Sequence, residues 1–253
     1  MTTGRDASAR LYVEHDLGEG RPVRLTAAQA HYLKHVLRLS TGARVALFNG
    51  RDGEWMSRID TIGRGVGSLW VEEHLRDQVA EPDLWLLFAP IKKARTDFIV
   101  EKAAELGVAR ILPVQTDFTN SERIRQDRLQ AHAIEAAEQC GGTFVPPVAE
   151  LQPLARLLDG WDGARRILWA DEAMAGPAET LAGLPQGSWA ILIGPEGGFS
   201  EAERSRLAAS PFVDRISLGP RILRADTAAV AAIALWQAAL GDWRADRQKK
   251  NPA

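Results

Sequence analysis

The sequence predicts an α/β protein in which a small β-rich region precedes a larger region built on parallel strands. Residues 84–90 form a continuous apolar run, which is typical of a strand buried on both faces of a sheet. From residues 189 and 212 onward, the chain twice runs from a strand pattern through a glycine turn into a helix. Residues 42–75 instead alternate with a period of two, which predicts short strands joined by hairpins.

The composition is that of a soluble globular protein. Apolar residues make up 45% and charged residues 25% of the 253 residues, which suits one large or two smaller domains. No run of roughly 18 or more apolar residues occurs, and the first residues lack the apolar segment of a signal peptide. The single cysteine, Cys140, rules out an internal disulfide and is typical of a reducing, cytoplasmic location. No cysteine and histidine cluster has zinc spacing, so no metal is expected.

Residues 1–75 are expected to form a small β-barrel or sheet domain with one helix. Thr26 and Gln29 have the spacing of a capping box, which predicts a helix at about 27–39. Asn49-Gly50 and Asp52-Gly53 are hairpin signals. Strand patterns occupy residues 10–13, 43–48, 54–59 and 68–71. A polar linker is expected at 76–83.

A basic stretch occurs early in the chain, although the formal net charge of the protein is only −2. Residues 21–50 contain five Lys and Arg side chains and neither Asp nor Glu. In the predicted helix, four basic side chains recur at i, i+3, i+4 and i+7 and share one face: His31, Lys34, His35 and Arg38. The other face is apolar and includes Leu33 and Val36. The basic face is either a surface for RNA phosphates or an ordinary solvated face, and the absence of nearby acids favours RNA.

Beyond the linker, strand and helix patterns alternate, as expected for a parallel sheet. A helix is predicted at 96–106, because Gly107 is a favourable residue just beyond a helix end. Other patterns predict a strand at 110–116, a helix at 127–140 and a strand at 166–172 that runs into an acidic turn. Lys92 and Lys93 follow the first strand and are either RNA contacts or solvated loop residues.

Two glycine turns occupy the stretch 189–227. The first has the sequence Gly194-Pro195-Glu196-Gly197-Gly198-Phe199 and is followed by a capping box of Ser200 and Glu203. The second has the sequence Gly219-Pro220-Arg221-Ile222-Leu223-Arg224 and leads into an apolar helix at 228–240. In α/β proteins, ligands bind at the edge of the sheet where such turns lie.

The residue types in these turns limit the ligand. The first turn lacks the Gly-Lys-Ser/Thr of a phosphate-binding loop, and neither turn has the G-x-G-x-x-G pattern of dinucleotide sites. Glycines let the main chain approach a ligand closely. The turns therefore predict a small-molecule site made largely of main chain, with Glu196, Arg221 and Arg224 as its charged groups. Two ordinary tight turns are the alternative.

Together, the two turns resemble those of the RsmE family. The matching stretches are 192–200 and 218–227, with further similarity at 92–116 and 135–146. The resemblance implies a SPOUT-superfamily methyltransferase that uses S-adenosylmethionine and acts on N3 of a uridine in small-subunit (16S) ribosomal RNA. It further implies a PUA-like RNA-binding domain at 1–75 and a methyltransferase domain at 84–243 whose turns form a trefoil knot. A polar tail is expected at 244–253.

The expected reaction and the positions of the charged groups give roles to individual residues. Arg224 or Arg221 could stabilise the charge that develops on the uracil carbonyls, and Arg224, which precedes the last helix, is the expected catalytic cation unless it forms an ion pair with Asp226 or Glu196. Glu196 is either the base that removes the N3 proton or an acceptor that stabilises its turn. The cofactor is expected to contact Leu192, Ile193, Gly194, Pro195, Glu196, Gly197, Gly198, Leu218, Gly219, Arg221, Ile222, Leu223 and Thr227. RNA is expected to contact Arg24, His31, Lys34, His35, Arg38, Lys92 and Lys93.

Assembly and alternative functions follow from the same resemblance. In the family the last helix lies in a homodimer interface, which would explain why the helix at 228–240 is apolar nearly all round. Gly142-Thr143 departs from the family, whose members usually carry Arg-Asn there. A ribose 2′-O-methyltransferase of the superfamily and a non-catalytic RNA-binding or ribosome-assembly protein are the alternatives. A nucleotide hydrolase is excluded because the chain has no Walker lysine.

Overall fold

The computed structural model describes residues 7–120, 124–174 and 181–243. They form two compact units. The first unit contains the chain up to residue 80 together with residues 137–145, and the second contains residues 81–136 and the chain from residue 146 onward. The tail predicted at 244–253 lies outside the described residues. The domain boundaries at 1–75, 76–83 and 84–243 stay a prediction.

A five-stranded sheet in the order β1-β3-β4-β5-β2 forms the first unit. Its strands are β1 (Ala9–Tyr12), β2 (Pro22–Arg24), β3 (Arg44–Phe48), β4 (Glu54–Ile62) and β5 (Gly67–Arg76). β1 runs parallel to β3, and the other neighbours are antiparallel. One face of these alternating strands supplies the core, which includes Leu11, Val45, Leu47, Ile59 and Leu69. The sequence did not predict β2, because three residues are too few to show an alternation.

The helix predicted at 27–39 is shorter than expected. Its capping box at Thr26 is confirmed, but the α-helix α1 spans only Ala27–His31 and continues as a π-helical turn, Tyr32–Val36. In that turn Leu37 N donates to Tyr32 O over five residues instead of four. The wider turn leaves Val36 59% exposed, so the predicted apolar face is wrong at this residue.

A six-stranded parallel sheet in the order β11-β9-β10-β6-β7-β8 forms the centre of the second unit. Its strands are β6 (Leu84–Phe88), β7 (Arg110–Gln115), β8 (Gln152–Pro153), β9 (Arg166–Ala170), β10 (Trp189–Ile193) and β11 (Val213–Ile216). The helices are α2 (Lys93–Glu105), α3 (Gln126–Cys140), α4 (Leu154–Asp159), α5 (Glu201–Ala209) and α6 (Ala225–Ala239), with a 3₁₀ turn at Leu181–Gly183. The elements predicted here are confirmed to within a few residues, whereas β8 and α4 are too short to have been predicted.

The order of the strands places the glycine turns side by side. β10 lies between β9 and β6, and β11 lies beyond β9 at the edge of the sheet. All five residues of β10 are buried, as the continuous apolar pattern indicates. Because the strands are parallel, the loops that follow β9, β10 and β11 leave the same carboxyl edge. This is the edge at which α/β proteins bind ligands.

The last helix closes the second unit. α6 packs on α2 and β10 through a buried stripe that includes Ala229, Ile233 and Trp236. Its buried Gln237 donates from Nε2 to Leu106 O at 2.6 Å, which satisfies a carbonyl at the end of α2. Leu235 is 37% exposed, so the helix is not buried all round. None of the helices formed by the described residues is both long and apolar enough to cross a membrane.

Candidate active site

A cleft lies at the carboxyl ends of β9, β10 and β11. It consists of two adjoining pockets that share Ala170, Glu172, Ile222, Leu223 and Ala228. One pocket is completed by the first glycine turn and Arg224, and the other by Met174, Leu218, Gly219 and Arg221. The structure therefore brings both predicted turns together in one site. The end of β9 forms a third wall.

The first turn is tightly packed. A Cβ atom at Gly194 would lie 2.7 Å from Cε2 of Phe199, whose ring is buried beneath the turn and packs edge-on against Trp169. Gly198 has a φ of 69°, and a Cβ there would lie 2.6 Å from Oε1 of Glu172. Gly198 N donates to Pro195 O at 2.9 Å, which closes the turn. The glycines are required here because the main chain approaches its neighbours too closely for a side chain.

The N-terminus of α5 anchors the same turn. The predicted capping box is confirmed, since Glu203 N donates to Ser200 Oγ and Ser200 N donates to Glu203 Oε2 at 2.9 Å. Ser200 Oγ also donates to a carboxylate oxygen of Asp117, and Asp117 N donates to Glu203 Oε1 at 3.0 Å. The loop after β7 is therefore tied to the helix that follows the first turn.

A buried carboxylate holds the end of β9 against α5. Asp171 accepts from Arg204 Nη2 at 2.9 Å, from Arg215 Nε at 2.8 Å and from Ala173 N at 3.0 Å. Burial raises the pKa of Asp171, but the amide and the two guanidinium groups outweigh it, so the pKa is lowered. Asp171 is therefore a charged structural anchor, and Arg204 Nη1 extends the network to Glu172 at 3.0 Å.

The second turn is more open. Gly219 has a φ of 111°, and a Cβ there would meet no atom within 4 Å. Ile222 lines both pockets, yet its side chain is 80% exposed. Arg221 is exposed as well. Gly219 N donates to Ser217 Oγ at 3.2 Å, so a hydrogen bond within the segment helps to shape the start of this turn.

Arg224 stands where the second turn meets α6. It is the N-cap residue of this helix, and its carbonyl accepts from Ala228 N at 2.7 Å. Its side chain is exposed and has no hydrogen-bond or ion-pair partner within the described part of the chain. The predicted alternative, a pair with Asp226 or Glu196, is not found, because Asp226 lies 3.8 Å from Arg95 Nε.

Three of the predicted cofactor residues do not line the cleft. Leu192 is fully buried in the core, Gly197 faces Phe118, and Thr227 is exposed on α6. The other predicted residues line the pockets: Ile193, Gly194, Pro195, Glu196, Gly198, Leu218, Gly219, Arg221, Ile222 and Leu223. Their contact with a cofactor stays a prediction.

Sequence reasoning missed the wall at the end of β9. Ala170, Glu172 and Met174 line the cleft, and Glu172 lines both of its pockets. The available signal was a third strand pattern that ends in an acidic turn. This pattern did not predict a wall of the site, because neither residue spacing nor composition indicates that β9 lies beside β10.

The basic residues predicted to bind RNA lie in both units. In the first unit, Arg24, His31, His35 and Arg38 are exposed, and the rings of His31 and His35 lie 4.9 Å apart. Lys34 is only partly exposed, because Nζ donates to Ile62 O at 3.2 Å. Arg38 has a φ of 57°, so it lies beyond the helix and not on its face. In the second unit, Lys92 and Lys93 are exposed at the start of α2.

The departure at Gly142-Thr143 lies in a segment held by Arg10. Arg10 Nη2 donates to Gly142 O at 2.9 Å, and Nη1 donates to the carbonyls of Ala137 and Glu138 at 3.0 Å. Arg10 therefore caps the C-terminus of α3 within the first unit. The second residue of the pair, Thr143, is buried.

Fold and site together define an α/β protein whose ligand cleft is made of main-chain turns at the carboxyl edge of a parallel sheet. Family comparisons identify the class more closely. The RNA methyltransferase domain model matches residues 79–237, and the RNA methyltransferase PUA domain model matches residues 25–65. The chain belongs to this family of RNA methyltransferases.

Individual relatives agree with this assignment. Ribosomal RNA small subunit methyltransferase E of Rickettsia conorii is 33% identical over 233 residues, which cover 89% of this chain and 93% of the relative. The crystal structure of the Neisseria gonorrhoeae enzyme of the same name, bound to S-adenosyl methionine, has a TM-score of 0.85 and 28% identity. The structural match covers 93% of this chain and 99% of the Neisseria gonorrhoeae chain.

A second solved structure supports the same fold. A Legionella pneumophila protein in complex with the bound cofactor SAM has a TM-score of 0.80 and 29% identity, covering 92% of this chain and 98% of that one. The predicted SPOUT-type and PUA-like architecture is confirmed by these similarities. The trefoil knot stays a prediction.

Proposed function

We propose that this protein transfers a methyl group from S-adenosylmethionine to N3 of a uridine in small-subunit (16S) ribosomal RNA. The observation that carries the proposal is that both glycine turns line one cleft, together with Arg224, whose guanidinium is unpaired within the described residues. The names and the bound ligand of the relatives agree with this function. The position on uracil rests on the family resemblance.

The residue types that line the cleft support binding of this cofactor. Leu218, Ile222 and Leu223 offer apolar walls for an adenine ring, and the two turns offer main-chain donors and acceptors for its polar edges. The carboxylate of Glu172 faces both pockets. Its charge is opposite to that of the sulfonium and amino groups of S-adenosylmethionine. When bound, this cofactor supplies an activated methyl group.

The residues of this chain must then position the base and stabilise its charge. As N3 of uridine loses its proton, negative charge develops on the uracil carbonyls, and the cation of Arg224 would stabilise it once bound RNA shields the site from water. The N-cap position fixes the main chain of Arg224 at the start of α6. Placement of the base in line with the methyl group accounts for much of the expected rate.

Glu196 is the proposed acceptor of the N3 proton. It lies in the first turn, lines the cleft and is exposed, and no ion pair occupies it within the described residues. A carboxylate can act as a general base where it lies within hydrogen-bond reach of the proton that it removes. The alternative role, stabilising the turn as an acceptor, finds no support, because no hydrogen bond to the Glu196 carboxylate is found among the described residues.

RNA is the proposed partner, bound through exposed basic residues of each unit. Arg24, His31, His35 and Arg38 serve this purpose in the first unit, and Lys92 and Lys93 in the second. Such contacts recognise phosphates and position the RNA without reading its sequence. Lys34 is a weaker candidate, because a hydrogen bond to Ile62 O already occupies its ammonium group.

A homodimer formed through the C-terminal domain and a cytoplasmic location belong to the same proposal. The dimer rests on the family resemblance, which implies an interface on the last helix, and Leu235 of α6 is 37% exposed. A ribosomal RNA substrate supports the location. Light scattering at micromolar concentration should give twice the mass of one chain, and a monomeric mass would contradict the dimer.

Methyl transfer from labelled S-adenosylmethionine tests the function. The substrates are small ribosomal subunits, and the corresponding free RNA, from cells that lack this protein, and the modified nucleoside is then mapped. Label at N3 of one uridine is expected. Label on a ribose 2′-oxygen would favour the superfamily alternative, and cofactor binding without transfer to any RNA would favour a non-catalytic role. Failure to bind S-adenosylmethionine would contradict the proposed methyltransferase activity.

The basic surface of the first unit is tested by reversing two charges. Arg24→Glu with Arg38→Glu should weaken RNA binding and lower the slope of log affinity against log salt by roughly 1 for each lost phosphate contact. The matched control is Arg51→Glu, because Arg51 in the same unit is paired with Asp16. An unchanged slope in the double variant would identify an ordinary solvated surface.

A further inference from the structure

Phe118 is a large apolar side chain in an unusual position. It lies in the loop after β7, and its side chain is 47% exposed. Its neighbours in the chain, Asp117, Thr119 and Asn120, are polar, so the ring is not part of an apolar stretch of sequence. Within the described residues, no other ring or cation is stacked on it.

The ring sits beside the first glycine turn. A Cβ at Gly197 would lie 3.3 Å from Cβ of Phe118 and 3.8 Å from its ring carbons Cγ and Cδ2. Glu196, the neighbour of Gly197, lines the cleft. Phe118 is therefore next to the proposed active site, beside the glycine of the turn whose Cβ position meets neither Glu172 nor Phe199.

Hydrogen bonds hold this loop in a fixed conformation. Thr119 N donates to Thr116 O at 3.1 Å, and Thr116 N donates to Thr119 Oγ1 at 2.9 Å, so Phe118 occupies a closed tight turn. Asp117 is bonded through its main chain and its carboxylate to the capping box of α5. An aromatic ring presented in a fixed position loses little conformational entropy when it binds.

We propose that Phe118 is a stacking platform for an unpaired base of the substrate RNA at the methylation site. The inference rests on the proposed function. Enzymes that modify a base must take it out of the stack, and aromatic side chains receive such unstacked bases. A lone ring with polar neighbours suits a heterocycle with polar edges better than an apolar protein surface. The exposed Lys92 and Lys93 leave the neighbouring strand β6 at the same edge and suit the attached phosphates.

Three substitutions separate stacking from packing. Phe118→Ala removes the ring, Phe118→Leu keeps apolar bulk over Gly197 without an aromatic face, and Phe118→Trp keeps a face. The control is Phe98→Ala, since Phe98 is a 39% exposed phenylalanine on α2. For each variant, RNA affinity, cofactor affinity and kcat/KM for RNA are measured separately, and thermal melting verifies that it is folded.

The Ala and Leu variants should lose roughly 5- to 150-fold in RNA affinity and in kcat/KM, the size of one base-stacking contact. Cofactor affinity should be unchanged, and Phe118→Trp and Phe98→Ala should match the wild type. Wild-type RNA affinity in Phe118→Leu, or weaker cofactor binding in Phe118→Ala, would overturn the proposal in favour of simple packing on the turn. If the wild type itself transferred no methyl group, the proposed function would fail. RNA affinity alone would then still decide the role of Phe118.

Discussion

The two glycine turns of the cleft differ in how firmly the rest of the protein holds them. Phe199 packs beneath the first turn, Glu172 and Phe118 pack on its glycines, and the capping box of α5 follows it directly. The second turn has an open glycine and an isoleucine that is 80% exposed. The wall formed by the first turn is thus held in shape by its neighbours before a ligand binds, whereas the wall formed by the second turn is more open.

This difference indicates separate tasks for the two turns. A preformed main-chain wall binds a ligand without a cost for ordering, and it therefore suits recognition of the cofactor. An open turn that ends in Arg224, which is unpaired within the described residues, suits a step in which RNA completes the site. Variants in each turn, and at the end of β9 beside them, test the division between binding and catalysis.

The largest effect is expected from Arg224→Ala at the end of the second turn. Loss of the cation should reduce the single-turnover rate of methyl transfer by roughly 100- to 1,000-fold, because it would stabilise charge mainly in the transition state. Cofactor affinity, measured by calorimetry, should stay nearly intact. The control is Arg206→Ala, whose guanidinium pairs with Asp159 away from the cleft. A full-rate Arg224→Ala enzyme would remove this residue from catalysis.

The second largest effect is expected from Asp171→Asn behind the first turn. This change leaves Arg204 and Arg215 without their buried carboxylate and should lower the free energy of unfolding by roughly 3 kcal/mol. Urea unfolding measures the loss. In the partly exposed Asp214–Arg166 pair, Asp214→Asn should cost less. Equal losses of stability in the two variants would indicate that the burial of Asp171 does not increase its contribution to the free energy of unfolding.

The pH dependence of that loss has a defined direction. The pKa of Asp171 is lowered in the folded protein, so its contribution is complete above the ordinary value of 3.8. It is lost as the pH falls through the lower folded value. The difference in stability between wild type and Asp171→Asn should therefore be constant from neutral pH down to about pH 4 and shrink below it. A difference that already declines between pH 7 and 5 would contradict the lowered pKa.

Alanine at one glycine of each turn compares the turns directly. Gly194→Ala places a Cβ 2.7 Å from the buried Phe199 ring and should cost about 1–3 kcal/mol in stability, with a clear loss of cofactor affinity. Gly219→Ala meets no neighbour, but its φ of 111° strains any residue other than glycine, so it should also cost about 1–3 kcal/mol in stability, with little loss of cofactor affinity. Urea unfolding and calorimetry measure both effects. A larger loss of cofactor affinity in Gly219→Ala than in Gly194→Ala would reverse the assignment of the rigid turn.

The smallest effect is expected from Glu172→Gln. The amide keeps the shape of the wall but removes the charge, so affinity for S-adenosylmethionine should fall by about tenfold, or about 1.4 kcal/mol. Affinity for the demethylated product should fall less, because its sulfur is uncharged. The control is Glu201→Gln, in the exposed first turn of α5. Equal losses for both ligands would show that Glu172 does not sense the sulfonium.

The sequence predicted local features well where the pattern is contained in the chain itself. The apolar run of β10 and the capping boxes at Thr26 and Ser200 are confirmed almost residue for residue. These features depend on neighbours a few positions apart, which a sequence shows directly. The prediction of a regular α-helix after Thr26 is wrong beyond His31, because a π-helical turn replaces the 3.6-residue period from which the basic and apolar faces were predicted.

The sequence by itself determined the fold class, the two glycine turns and the family, because glycine, capping and apolar patterns are local. Only the tertiary structure decided that the end of β9 forms the third wall, that Asp226 pairs with Arg95 and not Arg224, and that Phe118 sits beside Gly197. The physical reason is the strand order. Side chains that are distant in the chain meet at one edge through crossovers, and no local pattern encodes which strands become neighbours.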